Sequence, residues 1–187
     1  MFDEDIKIAG ADAGDKKGGR DSDSAVQEES EYRRQLASGN IALARDAGSK
    51  IAVQTINAAG LSWSDEKDDS FEIQLQRGLL LAFSAVATIE SASLPSVLED
   101  VMRRSFFDDL RNIDSAMYKE TAESGAFSFY YLAYRRGTDL ERRVGQTFAM
   151  LCSHDGDPIY QELGETLFCW MRSKTESILK SISFFPV

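Results

Sequence analysis

Residues 70–93, SFEIQLQRGLLLAFSAVATIESAS, restrict the possible folds more than any other stretch of the chain. Leu75, Leu79, Ala82, Phe83, Val86 and Ile89 recur at steps of three and four, which is the period of a helix and not the alternation of a strand. Leu80, Leu81, Ala85 and Ala87 fill the other side, so this helix is apolar on more than one face and must be covered on more than one face. Other helices have to pack around it. The apolar run from Gly78 to Ile89 is well short of the ~20 residues that a bilayer crossing needs, which makes it an inner core helix and not a membrane span.

Asp69 and Glu72 have capping-box spacing at its start, and Pro95 stops it, because proline disfavours helical geometry in the residue before it. The wrapping helices are legible on both sides. Residues 25–37 turn helical in composition, and 40–59 carry a narrow stripe of Ile41, Ala44, Gly48, Ile51 and Thr55 that permits close helix contact. Residues 60–68 read as a loop in which Trp63 folds back onto the core. Ser96 with Glu99 opens a helix to about Thr121 that carries Leu98, Met102, Phe106, Leu110, Ile113 and Met117 on one face.

AFSFYYLAYRR is a short aromatic helix. Gly137 follows as a left-handed cap, and Thr138 with Glu141 forms a further capping box. Gly156, Asp157 and Pro158 supply stop, cap and first residue of the last helix, which runs to about Ser183 and buries Ile159, Leu163, Leu167, Trp170, Ile178 and Ile182. The expected fold is all-α: one domain over 25–187, a bundle of about six to seven helices around the buried central helix 70–93.

Residues 1–24 hold six Asp, one Glu and four Gly with almost no large apolar groups, and are expected to form a disordered acidic tail. Residues 1–31 carry ten acidic and four basic side chains, so more than half of the chain's net charge of −10 lies in its first sixth. That sign disfavours nucleic acid, whose phosphates need a basic surface, and anionic lipid. Met1–Gly10 has neither the basic start nor the apolar core of a signal peptide, so the expected location is cytoplasmic. Cys152 and Cys169, among apolar neighbours and without CxxC spacing, read as buried reduced thiols.

No catalytic constellation is apparent. The single histidine, His154, adjoins Asp155 at a helix C-terminus, where an imidazolium is favoured by the dipole, and reads as a capping or surface residue. The carboxylate pairs Glu28/Glu31, Glu120/Glu123 and Glu162/Glu165 lack the ExxD on a later helix, or the ExxH, that helical metal enzymes use, and read as solvated helix faces. Without GxGxxG, GxxxxGK[ST] or a complete calcium loop, no cofactor and no metal is expected.

One feature opposes the overall sign. Arg135 and Arg136 end one helix and Arg142 and Arg143 begin the next, giving residues 125–145 four Arg against Asp139 and Glu141. With Tyr130, Tyr134 and His154 nearby, this corner is the expected binding site, unless Asp139 and Glu141, or carboxylates elsewhere in the fold, neutralise it. The function expected is that of a non-catalytic helical module for protein–protein interaction or self-association. The alternative is a sensor or binding module that takes a small anionic ligand at the same corner.

Overall fold

The computed structural model describes residues 19–60, 70–135 and 138–186, with side chains from Val26 onward. Most of the expected acidic tail, Trp63, Asp69, Arg136 and Gly137 lie outside the described residues. The architecture is all-α, as expected. Among the described residues eight helices follow one another: α1 (Gly19–Ala37), α2 (Asn40–Ala59), α3 (Phe71–Ser91), α4 (Ser96–Ile113), α5 (Ser115–Glu123), α6 (Ala126–Arg135), α7 (Leu140–Leu151) and α8 (Pro158–Lys180). No described helix is long and apolar enough to cross a membrane.

Helix α3 is the centre. Every residue from Arg77 to Ile89 is buried, and α3 touches all the other helices except α1. A fully buried Leu, Ile or Phe contributes about 1.5–3 kcal/mol by leaving water, so the row Leu79–Phe83 alone anchors the bundle. Its two buried hydroxyls are satisfied internally: that of Ser84 donates to the Leu80 carbonyl at 2.7 Å and that of Thr88 to the Ser84 carbonyl at 2.7 Å. The backbone ladder thereby absorbs groups that would otherwise oppose burial.

Helix starts differ from the expected ones. Ser70 caps α3, its hydroxyl accepting from the Ile73 N–H at 3.4 Å. Pro95 and Asp139 precede α4 and α7 without any side-chain cap, so the Ser96/Glu99 and Thr138/Glu141 boxes do not form. Helix α1 starts earlier than residue 25, at Gly19.

The predicted long helix after Pro95 is two. Asp114 leaves helical geometry at φ −135° and ψ 81°, and its carboxylate accepts from the Met117 N–H at 2.9 Å, so it ends α4 and caps α5. That break turns Ile113 outward. Ile159, expected in the core, is 74% exposed in the first turn of α8, ahead of the buried stripe Gly164, Leu167, Phe168 and Met171.

The stop, cap and start around Gly156 hold: Gly156 has φ 80°, the Asp157 carboxylate accepts from the Ile159 N–H at 2.9 Å, and Pro158 opens α8. Before it, Ser153 takes φ 62°, its N–H bonding to Met150 O at 3.0 Å while the His154 N–H reaches Ala149 O at 2.8 Å. This pair of bonds closes α7 as a Schellman motif with serine in the place glycine usually holds.

The start of α2 and the segment after α8 are joined by an amide clamp. Buried Asn40 donates to Phe185 O at 2.9 Å and accepts from the Phe185 N–H at 2.8 Å, as a neighbouring strand would. Gln35, also buried, accepts from the same Asn40 amide at 2.6 Å and donates to Glu31 at 2.7 Å.

Candidate functional site

Helix α6 is positioned by one ring. Phe83 of α3 stacks on Tyr130 with centroids 5.2 Å apart, and meets Phe127, Tyr131 and Tyr134 edge-on at 5.8, 5.1 and 6.1 Å. Offset and edge-to-face pairs of this kind are favourable beyond the area they bury. The Tyr131 hydroxyl donates to Glu90 at 2.9 Å, and Glu90 also pairs with Arg103 of α4 at 3.4 Å. Burial and the Glu90 carboxylate raise the Tyr131 phenol well above its usual range. The tyrosine is therefore a fixed donor that ties α6 to the end of α3.

With Ala126, Tyr130 and Ala133 facing inward, the period of α6 sends Ser128, Phe129, Leu132 and Arg135 outward. Phe129 is 47% and Leu132 57% exposed, a large apolar pair without cover beside a cation. Helix α7 likewise exposes Arg142, Gln146 and Met150 at steps of four.

The residues expected to bind divide into three groups. Arg135 and Arg142 are exposed, and among the described residues neither forms an ion pair. Arg143 is half-buried, with one guanidinium nitrogen donating to the Thr138 hydroxyl at 3.2 Å and the other buried without a hydrogen-bond partner. Arg136 lies outside the described residues.

Glu141 does not neutralise its Arg neighbours. Its carboxylate accepts from Arg172 of α8 at 2.9 Å, and its own backbone N–H together with Arg172 holds it below the ordinary carboxylate range. The neighbouring acid that would have closed the corner is used across a helix crossing instead.

Tyr130 is not a surface residue. It is wholly buried, and burial drives its phenol far above the normal value. Tyr134 is half-buried with its ring edge on Phe83. His154 is not at the corner either, because it follows the opposite end of α7, ~18 Å away for a helix of this length. Its ring stacks flat on Tyr160 at 3.7 Å and 5°, which gives it a packing partner at the α7–α8 turn.

The candidate site is thus the outward face of α6 with the first turn of α7: Phe129, Leu132, Arg135 and Arg142. Phe129 and Leu132 were missed by sequence reasoning because α6 is aromatic on every side. The usable signal was the pair of small residues, Ala126 and Ala133, which mark the side that packs closest. Compared with family models, with curated proteins and with solved structures, the chain matches none.

Proposed function

We propose that this protein is a non-catalytic interaction module that docks an acidic segment of a partner protein, bearing apolar side chains, on the outward face of α6. The observation that carries this reading is the exposure of Phe129 and Leu132 in register with an Arg135 that forms no ion pair among the described residues. Aromatic and arginine side chains are enriched at the centres of interfaces, and an unpaired guanidinium on a chain of net charge −10 has no reason to stay uncompensated when an acidic partner is offered. A small anion held at the corner is the weaker reading, since Arg135 and Arg142 are both exposed.

The test is affinity capture with chemical cross-linking, using wild type, Phe129→Ser/Leu132→Ser and Arg135→Ala/Arg142→Ala. Partners lost from both variants, and cross-linked through an acidic segment, support the proposal. Partners retained by both variants overturn it. A light-scattering mass for each protein separates self-association from a foreign partner.

A further inference from the structure

We propose that the groove between α4, α5 and α6 is a second and separate site, which binds a small monoanion with a flat aromatic body. The groove has a volume of about 540 Å3, within the range of small-molecule sites. Its walls are the rings of Phe107, Tyr118 and Phe127. Each ring is held by another: Phe107 edge-on to Tyr118 at 6.4 Å, and Phe127 edge-on to Phe83 at 5.8 Å. Arg111 lies over the Tyr118 ring at 5.8 Å and fixes it further. Rings already immobilised lose little freedom when a flat ligand lies against them, so the apolar part of the site is preorganised.

The charged side chains set the ligand class. Three of them, Arg103, Arg104 and Asp108, border the groove, and two are engaged. Arg103 donates to Asp100 at 2.9 Å and lies 3.4 Å from Glu90, while Asp108 accepts from Arg111 at 3.1 Å. Arg104 makes no ion pair among the described residues. Arg104 is the cation of the groove left to donate to a ligand, and because it also borders Glu28, Glu29 and Asp100 it suits a single carboxylate or sulfonate on an aromatic frame and not a polyphosphate.

The experiment uses two probes on the full chain, the anionic dye 1-anilinonaphthalene-8-sulfonate and the uncharged N-phenyl-1-naphthylamine, followed by fluorescence titration. Wild type is expected to bind one sulfonate dye per chain. Ala122→Trp, which fills the groove from an exposed position, weakens both probes by about tenfold or more, whereas Arg104→Gln weakens only the sulfonate, by about fivefold. Phe129→Ser/Leu132→Ser keeps wild-type affinity, which separates this groove from the face of α6. Wild-type affinity for both dyes in Ala122→Trp, equal loss of both probes in Arg104→Gln, or no saturable binding by wild type each overturns the proposal. Both substituted residues are exposed, so an unchanged melting temperature verifies that the fold is intact.

Discussion

Two helix crossings hold this bundle together by the same device and differ in what lies opposite the gap. Where α2 crosses α4, Gly48 rests on the α4 backbone: a Cβ there would come 2.2 Å from the Met102 carbonyl oxygen and 3.0 Å from Ser105 Cβ. Where α7 crosses α8, two glycines face each other. A Cβ on Gly164 would lie 2.9 Å from Gly145 Cα and 2.7 Å from Phe148 Cβ, and one on Gly145 would lie 2.4 Å from the Gln161 carbonyl oxygen. The first crossing is fastened by a neutral bond, Ser105 Oγ to Arg45 O at 2.8 Å, and the second by the Arg172–Glu141 ion pair at 2.9 Å. Close approach is thus achieved twice, once by one small residue against a main chain and once by a matched pair.

The largest effect is expected from closing both gaps at once. Gly48→Ala and Gly164→Ala each force an overlap that only a shift of a whole helix relieves, at about 2–3 kcal/mol each after the ~1 kcal/mol that alanine gains in a helix. Because Gly48 and Gly164 meet different residues, the double variant should lose about the sum, 4–6 kcal/mol in urea unfolding. A double variant much better than that sum would mean that the two crossings are one mechanical unit.

Within the second crossing the opposite holds. Gly145→Ala already pushes α7 from α8, so Gly164→Ala in that background should cost at least 1 kcal/mol less than alone. Strict additivity there would show that the two glycines do not serve one gap. Gly78 sharpens the point as a mid-helix glycine of α3 whose Cβ would meet only the Met117 side chain at 3.2 Å and Ala59 Cβ at 3.6 Å. Met117 can move, so Gly78→Ala should change stability by less than about 1 kcal/mol, in the stabilising direction if the thioether yields. A loss like that of Gly48→Ala would remove the distinction between main-chain and side-chain obstacles.

The smallest effect distinguishes the two fasteners by pH. The folded-state value of Glu141 is depressed, so its contribution is present above the unfolded carboxylate value and is lost as pH falls through the folded one. Wild type should lose more stability than Glu141→Gln on going from about pH 5 to pH 3, by under 1 kcal/mol for a pair this exposed. Ser105→Ala should cost about 1 kcal/mol at either pH. Identical acid profiles for wild type and Glu141→Gln would show that the ion pair contributes nothing to the crossing.

Of these devices the sequence exposed one. Gly48 was readable because it lies in a stripe with Ala44 and Ile51, whereas Gly145 and Gly164 stand alone among large residues and acquire meaning only when α7 and α8 meet. The same limit governed the candidate site. The cluster of arginines was visible, but the diversion of Glu141 to Arg172 and the outward turn of Phe129 and Leu132 are facts about neighbours more than fifteen positions away or on another helix.

Local spacing determined the all-helical class, the inner position of residues 79–89, the turn at Gly156–Pro158 and the cationic sign of the Arg135–Arg143 segment, because hydrophobic period, proline and charge act over one or two helical turns. Tertiary structure alone decided where α4 ends, which tyrosines are core, where His154 stacks and which arginines form no ion pair among the described residues. Those outcomes depend on which surfaces come into contact, and a contact between distant residues leaves no periodic trace in either of them.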